Sequence, residues 1–469
     1  MKRNLTCFFA LSLALLMLAA CAVTPTTAYA ETGVRASASG TAAETGVRAS
    51  ASDTAAETVS SDYFSDRDLS GEYDENVYTV KLSGTGASSD AKTVSVSGSA
   101  VTITGAGTYI LTGTLTDGSI VVNAGKDDKV QLVLDGVSIH SESFAPIYVA
   151  QADKVFVTLA EGSVNTLSNG GSFTQIDESN VDAVIFSRDD LTFNGSGSLR
   201  ITSPAGHGIV GKDEITITGG SYEISASKTG IRANDSIAVS DGSFTLTVGT
   251  DGLHAENSDD DSLGIVYVEG GSFTITAGDD AVHAESLLQI ESGSFDITAA
   301  EGLEATYVRI NGGEIRISAS DDGINAAYKS SAYTPAVEFN GGTTTIVMGP
   351  GDTDGVDSNG SLIITGGTLD VTGQSPFDCD GTVSFTGGTV IVNGSQVDSI
   401  PNQMMGGHGG FGGPGMGGFG GGFPQDGDFE GMGPQGGGFG GPGMGGHGGH
   451  GYGGFGGGMY GGPGAQGNA

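Results

Sequence analysis

Residues 270–305 read GGSFTITAGDDAVHAESLLQIESGSFDITAAEGLEA. Runs 272–276 and 294–298 alternate apolar and polar residues, 287–290 is nearly all apolar, and a small acidic turn closes each unit. Alternation with period two marks strands with one buried face. The unit recurs along the chain. Gly220, Gly242, Gly271, Gly293, Gly313, Gly342, Gly367 and Gly388 each precede such a strand, at gaps of 22, 29, 22, 20, 29, 25 and 21. A second column follows a turn of the Asp-Gly kind: Gly230, Gly252, Ala281, Gly302, Gly323 and Gly355. The basic period is 20–22 residues, with loops of seven to eleven residues inserted after Glu256 and Ala326. A fixed period in this range marks a stacked repeat architecture.

Three short strands and three bends per period predict an all-β fold, a parallel β-helix with coils ~4.8 Å apart. Inward Ile, Val, Leu and Phe should stack in ladders, and glycine at the bends admits left-handed backbone angles. A leucine-rich repeat would need L-x-x-L-x-L and a calcium nonapeptide repeat a nine-residue period; neither occurs. Spacing leaves the handedness open. Looser strand spacing over 94–159 reads as early coils or a cap.

Composition agrees. The 469 residues include 84 Gly and no Trp, only 16% are charged, and helices disfavour glycine. The net charge of −37 excludes nucleic acid and acidic membrane surfaces as electrostatic partners and calls for counter-ions, divalent cations above all. Met1-Lys2-Arg3 followed by a short apolar run reads as an export signal over 1–21. Residues 18–21, LAAC, fit a lipobox in which Cys21 is lipidated; residues 28–30, AYA, offer a second cleavage site that would release the protein. The protein is expected outside the bacterial cell, as a surface lipoprotein or a secreted monomer, meeting the membrane only through that anchor. Residues 22–74, with a tandem copy of ETGVRASAS at 31 and 44, read as a flexible tether. Residues 75–400 form the folded body. Residues 401–469 form a glycine-rich tail, expected to be disordered, where His408, His447 and His450 read as solvated side chains. Cys379 is left without a partner for a disulfide.

Five successive turns carry a carboxylate in one position: Asp251, Asp280, Glu301, Asp322 and Asp354. Three residues on stands a second polar column: His254, His283, Glu304, Asn325 and Asp357. Stacked at ~4.8 Å, each adjacent carboxylate pair repels by about 3.5 kcal/mol at an effective dielectric of 20. A cation between coils relieves this, and calcium suits it, taking six to eight oxygens in flexible geometry. The densest candidate set is Asp280, Glu301, Glu304, Asp321, Asp322 and Asn325; the inserted loop adds Asp259, Asp260 and Asp261 beside Asp251 and Glu256. Zinc is disfavoured because neither a cysteine nor a third histidine joins His254 and His283.

Ordered motifs in this chain resemble a known family. These are GTYILTGTL at 107, GKDDKVQLVLDGV at 125, APIYV at 145 and the later DGLHAE and DDGINA turns. Over about 62–400 the sequence resembles the clostridial-type extracellular carbohydrate-binding proteins with a polysaccharide-lyase-like right-handed parallel β-helix. The resemblance implies right-handed winding, bound calcium, and affinity for plant-type polysaccharides such as cellulose and polygalacturonate, without established catalysis. Its calcium-binding turns would fall on Asp280, Glu301, Asp321 and Asp322. Ala281 departs from the usual glycine, and the duplication and the tail lie outside the resemblance.

Sugar binding without tryptophan turns attention to Tyr267, Tyr307, Tyr328 and Tyr333, whose rings offer apolar faces with a polar tip; ordinary strand or loop filling is the plainer reading of each. Acidic sugars would be reached through a calcium bridge. The rival reading is a calcium-dependent lyase on uronates, with Lys228, Arg232, Arg309 or Arg316 as base; for Arg309 and Arg316 a salt bridge to neighbouring acids is the plainer role. Hydrolysis would need one carboxylate pair around a glycosidic bond, whereas these acids recur turn after turn. A third reading is a passive structural or adhesive surface protein.

Overall fold

In the computed structural model, residues 63–72, 77–351 and 353–401 are described. The export signal with Cys21, the duplication and the glycine-rich tail lie outside them.

The chain winds as the period predicts, three strands to a coil. Asp280–Ala284, Leu287–Ile290 and Ser294–Ala299 make one coil, and Glu301–Ala305, Tyr307–Ile310 and Glu314–Ala319 the next. Each strand pairs in parallel with its counterpart one coil on. The first strand of every coil contributes to a 13-stranded sheet, here the ladder face, ending in Ser375–Cys379. The other two sets diverge from the long strand Lys129–Ser141. Its first half pairs with Lys154–Leu159, which begins the second face, and its second half with Val164–Asn169, which begins the third. Antiparallel pairing among the described residues is confined to the two ends, as in Val94–Ser97 with Ala100–Ile103 and Thr389–Val392 with Ser395–Val397.

The interior consists of side-chain columns. Phe244, Phe273 and Phe295 stack at 4.6 and 4.5 Å between ring centroids, almost parallel. Beside them Leu246, Ile275, Ile297, Ile317 and Ile346 follow one another in register, each almost wholly buried. Inward residues alternate with exposed ones on the third face, as a one-sided strand requires.

All eight glycines of the first column have positive φ, from 73° to 144°, the left-handed region that side chains avoid. The second column is held by close approach: a Cβ on Gly302 would lie 2.3 Å from the carbonyl of Gly323.

The second face differs from the expectation that residues up to 74 form a free tether. Residues 63–72 cross it, with a single helical turn at Asp66–Leu69 capped by Ser65. Tyr63 stacks on Tyr267 at 4.8 Å, the Arg67 guanidinium sits 4.5 Å over Phe156, and Asp68 is buried. Asn194 donates to the carbonyls of Asp68 and Ser70, and Thr218 to that of Asp68. A segment held by polar contacts has no apolar periodicity, so it reads as a linker.

Candidate metal centre

The register of the ladder face builds both polar columns. His254 pairs with His283, His283 with Glu304, Glu304 with Asn325, and Asn325 with Asp357. The column extends further than the sequence reading carried it: Arg232 precedes His254, and Asp378 follows Asp357. In the other column Asp280 pairs directly with Glu301.

The column changes character along the stack. At the basic end, Arg232 reaches Glu256 at 3.1 Å, and Glu256 also lies 3.2 Å from His254 Nε2. His254 Nδ1 is 2.9 Å from Asp251, which also accepts from Thr229. The His254 and His283 rings stack at 4.4 Å, 4° from parallel.

One coil on, Nδ1 of His283 lies 2.8 Å from Asp280 and 2.8 Å from Glu304. These three groups could together hold a metal ion, with ligand atoms within 4.8 Å of one another. Glu304 also meets Lys329 Nζ at 2.8 Å. Burial would raise the Glu304 carboxyl, but His283 and Lys329 hold it at about 2. Asp280 lacks the lysine, so burial and the neighbouring Glu304 push it up to about 6 against the pull of His283. Burial would depress His283, yet the two carboxylates raise it to about 9.

Beyond Glu304 the ladder presents oxygen. Asn325 donates to Glu301 at 3.1 Å and to Glu304 at 3.2 Å, while its Oδ1 is buried without a hydrogen-bond partner, as is Asp378 Oδ1. Burial, then Glu304 and Asp280, push Glu301 up to about 8. Asp322 rises to about 6 through burial and its acidic neighbours Asp321 and Asp354. Asp357 rises to about 7 through burial and the charges of Asp322, Asp354 and Asp378. Stacked carboxylates held near neutrality beside orphaned oxygens suit a hard divalent cation that binds oxygen alone.

The other expected residues fall elsewhere. Asp259, Asp260 and Asp261 are exposed; Asp260 accepts from Ser262 within its own loop, and Asp261 alone accepts from Ser330 and Ser331 of the second inserted loop, bracing one loop against the other. Tyr267 and Tyr307 are buried, the first under Tyr63 and the second donating to Glu338, which removes both from the set of sugar platforms. Tyr333 packs against Tyr307, half-buried; Tyr328 is 71% exposed. The sequence reading missed a further acidic stack at the bend between the ladder and second faces: Asp189, Asp213 and Asp235. Burial and its neighbours push Asp213 up to about 6. Their spacing of 24 and 22 residues carried the repeat signal and could have revealed them.

The chain is similar to proteins of one described family. The profile of a family described as carbohydrate-binding domain-containing protein matches residues 97–353 and 301–399. A protein of that description from Acetivibrio thermocellus is 39% identical over 135 residues, 28% of this chain and 47% of the relative. The chain thus spans about half the length of the curated relative it matches. Among solved structures, the polysaccharide lyase-like protein from C. thermocellum, as a gadolinium derivative, aligns at a TM-score of 0.43 and 26% identity, over 65% of this chain and 99% of that one.

Proposed function

The chain belongs to the family of carbohydrate-binding domain-containing proteins, and from that premise we propose that it is a non-catalytic, calcium-loaded polysaccharide-binding protein of the bacterial exterior. Family membership carries the reading. The proposed ligands are plant cell-wall polymers of the cellulose or pectin kind, and the proposed winding is right-handed, the usual hand of parallel crossovers.

Calcium belongs in the oxygen-only run, held by Glu301, Asp322, Asn325 and Asp357 with Asp321 at the edge. There it would neutralise the stacked acids and offer an open coordination position to a uronate carboxylate. Tyr328, exposed and adjacent in sequence to Lys329, is the expected sugar-stacking tyrosine that remains open to solvent. Neutral glycan suits the third face, where Ser243, Ser272 and Ser294, and four positions on Thr247, Thr276 and Thr298, stand exposed in register. A flat array of hydroxyls can exchange hydrogen bonds with a flat array of sugar hydroxyls.

The four basic residues considered for proton abstraction support binding over catalysis. Lys228 pairs with Asp182, Arg232 with Glu256, Arg309 with Glu338 and Arg316 with Glu314. A cation held by a carboxylate is a poor base.

The test is retention of the full-length protein on insoluble cellulose and on pectin in calcium buffer, with polygalacturonate absorbance followed near ~235 nm, where unsaturated uronates formed by proton abstraction absorb. We expect retention on at least one polymer, release from pectin by chelator, and flat absorbance. Absorbance that grows with time and is lost on changing Arg232 or Arg309 would establish the lyase. Absence of retention on either polymer, with the fold intact, would leave an adhesive surface protein.

A further inference from the structure

The ladder contains its own control. The motif Asp-x-x-His-Ala-Glu occurs in two adjacent coils, as Asp251 to Glu256 and Asp280 to Glu285. In the first, His254 Nδ1 faces Asp251 alone, at 2.9 Å. In the second, Nδ1 of His283 faces two carboxylates, Asp280 and Glu304, at 2.8 Å each. The difference arises because the register partner of His254 is another histidine, whereas that of His283 is Glu304.

One ring nitrogen carries at most one hydrogen. It can therefore serve one of the two oxygens well, and the second carboxylate approaches a nitrogen with nothing further to donate. A divalent cation in place of that hydrogen satisfies all three groups, since the unprotonated nitrogen and both carboxylates then each give a lone pair. The ligand atoms lie within 4.8 Å of one another, and ligands of a tetrahedral ion at ~2.0 Å stand about 3.3 Å apart, so small side-chain movements suffice. Lys329 on the other oxygen of Glu304 would orient that ligand from behind.

We propose that Asp280, His283 and Glu304 form a separate site for a borderline divalent ion of the zinc class, distinct from the oxygen-only run assigned to calcium. An imidazole nitrogen beside two carboxylates is a donor set for zinc-like ions, while calcium takes oxygen. The disfavour shown to zinc for want of a third histidine gives way because Asp280 on the same strand and Glu304 from the register supply two carboxylates in its place. The site is independent of the polysaccharide reading, since metal binding is measured without a glycan.

The experiment is titration of metal-free, full-length protein with Co2+, read by its visible absorption and by bound metal after dialysis. His408, His447 and His450 are replaced by Asn throughout, to remove competing histidines. The expected result is one tightly held equivalent, displaced by Zn2+ and not by equal Ca2+. H283Q and E304Q should weaken it by about tenfold or more, given that even outer-shell changes cost 10–100-fold. H254Q and D322N should leave it unchanged. Absence of such an equivalent, its displacement by equal Ca2+, or its survival in both H283Q and E304Q would overturn the proposal. If H283Q fails to fold, E304Q alone decides.

Discussion

The Asp68 carboxylate lies 2.9 Å from Nζ of Lys154, the two side chains 3% and 14% exposed, and it is this pair that pins residues 63–72 across the second face. Thr192 donates a further hydrogen bond to the same carboxylate. Burial would raise its pKa, but Ser65, Thr192 and Lys154 together hold it below the usual carboxylate range. Breaking a buried pair from one side leaves an uncompensated charge and costs about 3–5 kcal/mol. Asp68→Ala should therefore lower the thermal midpoint clearly, and so should Lys154→Met, which strands the more deeply buried carboxylate. Because the folded pKa is depressed, this stability is present above the ordinary value near 4 and is lost as pH falls through the folded one. A calorimetric scan of Asp68→Ala matching the parent would show that the crossing segment adds nothing.

In chelator, stability should fall as pH rises from about 5 to about 8.5. Glu301, Asp357 and Asp322 have folded pKa values raised to about 8, 7 and 6. A raised carboxylate stabilises fully below its unfolded value, and that contribution is lost as pH rises through the folded one. His283, raised to about 9, acts in the same direction over this range. Calcium should flatten the trend. Thermal melts at several pH values, with and without calcium, check this; an equally flat melt in chelator would leave the acids as a solvated edge.

Phe273 sits between Phe244 and Phe295, fully enclosed. Phe273→Ala should cost about 3–5 kcal/mol, against about 0.5–1.5 for Ile275→Val two residues on. Urea denaturation of the two variants gives the comparison. Equal losses would mean that the aromatic column packs loosely.

Gly302→Ala should destabilise more than an ordinary glycine replacement. The added Cβ would meet the Gly323 carbonyl at 2.3 Å and Ile317 Cγ2 at 2.6 Å, and backbone on the next coil cannot give way without shifting the stack. Ala281 in the same column shows that one coil has adjusted; Ala281→Gly should be nearly neutral. A lowered melting temperature for both, or for neither, would contradict this.

The sequence by itself determined the coil. Alternation such as 272–276, the glycine column and the 20–22-residue period are local patterns, and each encodes a strand or a bend without reference to distant residues. It also determined that acids recur at Asp251, Asp280, Glu301, Asp322 and Asp354, because the same place in each unit of a stacked repeat means vertical neighbours even where a loop is inserted. The tertiary structure alone decided what those neighbours do. Coils of unequal length had to align before Glu304, rather than another histidine, faced His283. Tyr267 and Tyr307 are outward-facing by their strands, yet other segments cover them, and nothing in their own neighbourhood records that. Residues 63–72 carry no periodic signal because polar contacts to Lys154, Thr192 and Asn194 hold them, contacts that exist only once the coils are stacked. Periodicity is short-range information, whereas convergence of side chains and the covering of a face depend on register and on segments remote in the chain.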